Sequence, residues 1–305
     1  SDAWWATIKG PQYQCVNGQC QVTFWWRDPA GTEAVSAIRR VWIYITGVTD
    51  HHHNSVPQTL QRIARTDAWC WTTTLPSTWR GSYCFAPSVR EDDFPPAIFT
   101  ASEPDRMRLR EGWRKVLPQA IADPLNPQSW KGGRGHAVSA LEMPQAPEQP
   151  GWSTPAARWN PPQCITWYSE RLGNQRRAWI FATGDAGDEE RPLAVLLDGQ
   201  FWAESMPVWP ALTALTDEGK LPPAVYLLID VIDNAHRSVE LPCNPDFWLA
   251  VQQELLPQVQ AIAPFSERAD RTVVAGQSFG GLSALYAALH WPARFGCVLS
   301  QSGSY

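Results

Sequence analysis

No apolar run in this chain approaches the roughly 18 residues that a membrane-spanning helix needs. Positive charge is not in excess either. Lys+Arg number 25 against 30 Asp+Glu, a formal net charge of −5, which leaves no electrostatic footprint for a nucleic-acid binder. The 7 cysteines are odd in number and never spaced Cys-x-x-Cys, which argues against both a disulfide framework and a zinc site. Cys15 and Cys20 could pair locally, but free thiols in a reducing cytoplasm are expected. Ser1-Asp2-Ala3-Trp4-Trp5 does not read as a secretory leader. It lacks an initiating methionine, so the natural start is expected upstream.

What is present describes a globular protein, with 44% hydrophobic and 18% charged residues. Its 305 residues suffice for two domains with separate cores. The 18 tryptophans and 27 prolines stand out. Tryptophans of a β domain serve as core or as flat stacking surface, and core is expected for most of them.

Residues 1–150 read as a β domain. Val22–Trp26, Val41–Ile45, Trp69–Leu75 and Gly81–Phe85 are rich in β-branched and aromatic residues. They are separated by turns such as Arg27-Asp28-Pro29-Ala30-Gly31, as in a short-stranded immunoglobulin-like sandwich. Residues 111–164, dense in Pro, Gly and Trp, read as a connecting strap at the domain boundary. His51-His52-His53 reads as a polar loop, because adjacent histidines rarely aim at one ion.

From 151 to 305 strands and helices alternate, which predicts an α/β domain with a doubly wound, mostly parallel sheet. Arg177–Thr183, Leu193–Leu197 and Ala224–Ile229 read as strands. A helix is expected around 208–215, closed by Gly219, and another opening at Asn244-Pro245, which Pro257 should kink.

The most informative segment is Val273-Val274-Ala275-Gly276-Gln277-Ser278-Phe279-Gly280-Gly281. An apolar strand runs into Gly-x-Ser-x-Gly, and Leu282, Leu285, Tyr286 and Leu289 follow at helical spacing. This is the arrangement that presents a serine nucleophile on a tight, strained turn. Ser278 is the candidate nucleophile, and the Phe279 N–H at the helix start is a candidate oxyanion donor. Asp230 and Asp233 precede the serine and read as turn or capping residues.

Ala275–Gly281, Leu196–Trp202, Ala235–Leu241, Asp123–Pro127 and Trp130–His136 together resemble the ferric enterobactin (enterochelin) esterases, an esterase-D-like branch of the α/β-hydrolases. The likeness runs through nearly the whole chain. It implies cytoplasmic enzymes that hydrolyse the trilactone of ferric enterobactin or related catecholate siderophores. Iron then enters only as part of the substrate, with no resident cofactor or metal. In this fold the second oxyanion donor comes from the loop after an early strand, here Asp198-Gly199-Gln200, so the Gln200 N–H is assigned. Arg237, on the loop after the third strand, suits anionic catecholates, or else forms a salt bridge, for instance to Glu240. Trp202 and Phe201 could line the pocket or pack in the core. Glu240 and, from the strap, Arg134, Lys131 and His136 are further substrate-site candidates.

One departure matters. The triad of this fold runs serine, acid, histidine, yet the one histidine after Ser278 is His290, at the far end of the nucleophile helix. His236 precedes the serine and breaks the order. The catalytic histidine and acid are therefore expected outside this chain, beyond Tyr305. Two rival readings stand beside the esterase: a polysaccharide-directed esterase whose sandwich binds carbohydrate, and a fragment that binds siderophore without cleaving it.

Overall fold

The structure, a computed structural model, describes residues 1–50, 56–94, 102–130, 137–152, 158–187 and 189–305. The chain divides into two compact units, Ser1–Glu148 and Gln149–Tyr305.

The first unit opens on a short helix α1 (Asp2–Trp5) and contains two antiparallel four-stranded sheets. One is built from β1 (Gln12–Val16), β2 (Gln19–Arg27), β5 (Ala68–Pro76) and β4 (Gln61–Arg62), in that order. The other orders β3 (Arg40–Ile45), β6 (Arg80–Ser88), β8 (Val138–Glu142) and β7 (Ser129–Trp130). Alternation along β2 turns Cys20, Val22, Phe24 and Trp26 inward. There they meet Val41, Ile43 and Ile45 of β3 and Tyr83 and Phe85 of β6, giving a sandwich core between the sheets. The opposite face of the second sheet is also sealed. Helix α2 (Glu103–Val116) lays Leu109, Trp113 and Val116 over Trp42, Tyr44, Cys84 and Ala86.

Residues 111–142 are thus not a strap. They supply the end of α2 and two strands of the first unit, with Pro124 and Pro127 in the connection before β7. Asp123-Pro124-Leu125-Asn126 forms a buried polar knot within them. Tyr83 Oη donates to Asp123 Oδ2 at 2.6 Å, Ser139 Oγ accepts from the Asp123 N–H at 2.8 Å, and Asn126 Nδ2 donates to Tyr83 Oη at 3.1 Å. Burial pushes the Asp123 carboxyl above its ordinary range, with the Tyr83 and Leu125 donors opposing it. A carboxyl raised in the folded state contributes stability that is complete below its unfolded pKa and is lost as pH rises through the folded value. Asp123→Asn lacks this titration. The unfolding free energy of the parent minus that of Asp123→Asn, read by tryptophan fluorescence in denaturant, is therefore expected to fall as pH rises from about 4. A flat difference would contradict the assignment.

Two further expectations change here. Cys15 and Cys20 face each other across the β1–β2 hairpin and are joined as a disulfide, so the free-thiol reading holds only for the other five cysteines. The tryptophans act mainly as core: Trp5, Trp26, Trp42, Trp69 and Trp113 are buried in this unit. His51-His52-His53 lie outside the described residues.

The second unit holds a six-stranded sheet ordered β14 (Cys297–Gln301), β13 (Thr272–Gln277), β11 (Leu193–Leu197), β12 (Val225–Ile229), β10 (Asn174–Ala182), β9 (Gln163–Ser169). β12, β11, β13 and β14 run parallel, and β10 and β9 are antiparallel additions. Helix α3 (Trp209–Asp217) links β11 to β12, with Gly219 at φ 70° just after its end. Beyond β12 come α4 (Asn234–Glu240), α5 (Pro245–Ala250) and α6 (Leu256–Ile262), and α7 (Phe279–His290) follows β13. Asn244 caps α5, its Oδ1 accepting from the N–H groups of Asp246 and Phe247. The segment expected to kink at Pro257 departs from a regular α-helix. Residues 251–255 widen into a π-type turn, and Pro257, which has no N–H to donate, sits in the first turn of α6 just after it.

One sheet face, carrying Leu193, Val195, Leu197, Leu227, Ile229 and Val274, packs on Trp248, Val251, Leu255 and Val259 and on Ala284 and Ala287 of α7. A fully buried hydrogen bond, Trp248 Nε1 to Ser283 Oγ at 3.0 Å, ties α5 to α7.

Candidate active site

The site is assembled at the carboxyl ends of the parallel strands, where ligands bind in open α/β sheets. β13 ends at Gln277 and α7 begins at Phe279, so Ser278 makes the whole reversal by itself. Its backbone sits at φ 57°, ψ −119°, a region that costs a non-glycine residue on the order of 1–3 kcal/mol. Both neighbours over-determine it. The Ser278 N–H donates to the Gln301 carbonyl at 3.0 Å, and its own carbonyl accepts from Leu282 at 3.0 Å and Ser304 at 3.2 Å. Glycine at 276 is obligatory, since a Cβ there would overlap the backbone of Gly280 where strand and helix close.

Ser278 is half-buried, and its hydroxyl shares a hydrogen bond with the Ser304 hydroxyl at 3.0 Å. Ser304, on the loop after β14, was not picked out from sequence. The only signal was its place just beyond a strand parallel to the nucleophile strand.

A second tight turn faces the first. β11 ends at Leu197, and Asp198 follows at φ 57°. Gly199 lies so close to β12 that a Cβ would collide with the backbone of Ile229. Gln200 then enters a helical turn, its Oε1 accepting from the Val231 N–H at 3.4 Å. Phe201 and Trp202 are half-buried and pack edge-to-face at 4.8 Å.

Arg237 is on α4, a helix rather than the expected loop. Its salt bridge goes to Asp198, not to Glu240: Nε donates to Oδ1 at 2.6 Å and Nη2 to Oδ2 at 2.9 Å. Glu240 is turned inward, toward Arg176 and Asn174. It is buried, with Arg176 Nη2 donating to Oε1 at 2.8 Å, Nη1 at 2.7 Å from Oε2, and Asn174 Nδ2 donating at 2.7 Å. Arg134, Lys131 and His136 lie outside the described residues.

Asp233 caps α4, accepting from the His236 N–H at 2.8 Å, which with the His236 ring holds its carboxyl below the ordinary range. Asp230 receives Arg177 Nε at 2.9 Å and the Ile232 N–H at 3.0 Å, so both acids serve turns and caps. Neither described histidine is bonded to the serine. His236 Nδ1 pairs with Asp233 Oδ1 at 2.8 Å, and His290 Nδ1 lies 3.0 Å from the Tyr286 carbonyl, roughly 16 Å along α7 from its start. Among the described residues no group of three His, Cys, Asp or Glu side chains is placed to hold a metal ion.

A strained serine between a parallel strand and a helix, with backbone amides at the starts of two facing turns, defines an α/β-hydrolase-type esterase domain. The comparisons narrow this class. Residues 21–152 match the family described as "Enterochelin esterase, N-terminal", and 169–305 match "Putative esterase". The chain is 72% identical to the iron(III) enterobactin esterase of Escherichia coli O6:H1, covering 100% of this chain and 75% of that protein. The Yersinia enterocolitica protein of the same name is 43% identical, with 96% and 88% covered. Among solved structures, the ferric enterobactin esterase of Salmonella typhimurium superposes with a TM-score of 0.93 at 68% identity, covering 100% of this chain and 77% of that one. A Shigella flexneri enterobactin esterase crystallised in the presence of enterobactin gives 0.87 at 70% identity, with 100% and 77% covered. The chain belongs to the enterochelin esterase family.

Proposed function

We propose that this chain carries the nucleophile of an enzyme that hydrolyses the trilactone esters of ferric enterobactin and related catecholate siderophores to dihydroxybenzoyl-serine units, easing iron release. The observation that carries this reading is Ser278. It is held at φ 57° with its hydroxyl on the carboxyl rim of the sheet, in a chain 72% identical to an iron(III) enterobactin esterase.

Ser278 attacks a lactone carbonyl and forms an acyl-enzyme that water then splits. The developing oxyanion is received by the Phe279 and Gln200 N–H groups, each contributing about 3 kcal/mol to transition-state stabilisation. Trp202 and Phe201, half-buried beside the Gln200 turn, supply aromatic surface for catechol rings. Neither described histidine acts as the general base in this reading, since His236 and His290 are engaged elsewhere. Iron arrives within the substrate, and no resident cofactor is needed for the ester chemistry. A cytoplasmic site is supported by the free thiols of Cys70, Cys84, Cys164, Cys243 and Cys297, against the one Cys15–Cys20 disulfide.

Ser304 orients the attacking hydroxyl. Ser304→Ala is expected to lower kcat about fivefold with KM little changed, the worth of one hydrogen bond. An unchanged kcat would remove Ser304 from the site. The reading as a whole is tested by incubating the full-length protein with ferric enterobactin and resolving the products by chromatography. Linear dihydroxybenzoyl-serine fragments are expected; intact ligand, or faster cleavage of feruloyl or acetyl sugar esters, would overturn it.

A further inference from the structure

We infer that Arg237 and Asp198 form a positioning clamp for Ser278, and that Arg237 is not an anchor for the anionic substrate. The inference rests on Ser278 being the nucleophile. The pair is a two-pronged fork, guanidinium against carboxylate, with both side chains about four-fifths covered. A third bond leaves the same guanidinium: Nη2 donates to the Gln277 carbonyl at 3.2 Å, one residue before the serine. Its carbon lies 5.8 Å from the centre of the Phe279 ring, one residue after. Arg237 therefore touches the chain on both sides of Ser278.

The other half of the fork is equally placed. Asp198 occupies a left-handed backbone conformation at the end of β11, two residues before the Gln200 N–H. Its Oδ2 lies only 3.4 Å from where a Cβ on Gly280 would stand, against the first turn of α7. One ion pair thus fixes the turn of the second oxyanion donor relative to the turn of the nucleophile, and α4 relative to both. A catecholate would have to displace a two-pronged carboxylate to reach the guanidinium, and in doing so would loosen the elbow it needs intact.

The experiment uses the full-length protein and two esters, ferric enterobactin and the neutral p-nitrophenyl acetate, with Arg237→Gln, Arg237→Lys, Asp198→Asn and the double variant Asp198→Asn/Arg237→Gln. Thermal unfolding of each variant is monitored alongside. The clamp requires kcat to fall about 10- to 100-fold on both esters by similar factors, with KM little changed. It also requires the double variant to be no worse than the poorer single one, and Arg237→Lys, which keeps the charge but not the fork, to behave like Arg237→Gln. A rise in KM confined to the anionic ester, or rescue by lysine, would overturn it. Should Arg237→Gln not fold, Arg237→Lys and Asp198→Asn decide by the same criteria. A parent protein that cleaves the neutral ester but leaves ferric enterobactin intact would instead refute the substrate assignment, leaving the clamp to be judged on p-nitrophenyl acetate.

Discussion

Ser278→Ala in the full-length protein is expected to lower kcat for ferric enterobactin by about 10⁶-fold, the loss seen when a serine nucleophile is removed from a cooperating site. The residual rate should still exceed that of water, because the Phe279 and Gln200 amides remain in place. The variant should fold and bind normally. Alanine removes only the hydroxyl and its bond to Ser304, and keeps the backbone bonds to Gln301, Leu282 and Ser304 that hold the elbow. Product chromatography under single-turnover conditions reads the loss directly. Turnover within tenfold of the parent would place the nucleophile elsewhere.

The second large effect concerns stability. Glu240→Ala is expected to cost about 3–5 kcal/mol, because Arg176 would be left charged, buried and without its counter-ion. Arg176 cannot escape to solvent. Its guanidinium carbon lies 5.5 Å from the Trp167 ring centre and 5.6 Å from that of Phe247, between β9 and α5. Denaturant unfolding followed by tryptophan fluorescence should show the loss, while KM for the siderophore, measured well below the new melting temperature, should not move. A raised KM with unchanged stability would restore Glu240 to the substrate site.

The sequence made the second unit the easier to read. Its strands Leu193–Leu197 and Val225–Ile229 are short, wholly apolar runs, and the Asn244 cap and Gly219 stop carry their mechanisms in the residue type. The first unit misled where tertiary packing overrode local signals. Helix α2 hides in a segment with eight charged residues among its fourteen, because only Leu109, Trp113 and Val116 need to face the sheet. β8 was absorbed into a Pro/Gly-rich stretch since its five residues gain order from pairing with β6 and β7 and from burial of Val138 and Leu141 in the cores on either face. At the site, the Gly-x-Ser-x-Gly elbow was legible because sterics demand those glycines. The partners of Arg237, Glu240 and Ser304 were not. Each depends on which chain segments the fold brings together, and a charged side chain does not announce its counter-ion.

The two-sided burial of the second sheet in the first unit has a cost for specificity. Along β3 and β6 apolar residues occupy both faces, so sliding one strand by a residue would exchange one hydrophobic surface for another instead of exposing it to water. Hydrophobicity alone therefore sets the alignment of these strands only weakly. Tyr83, Asp123, Asn126 and Ser139 remove that ambiguity. Any shift of β6 would carry the phenol away from its carboxylate and strand a buried acid without its donor, so this small polar knot acts as the index pin that selects one pairing from several nearly equivalent ones.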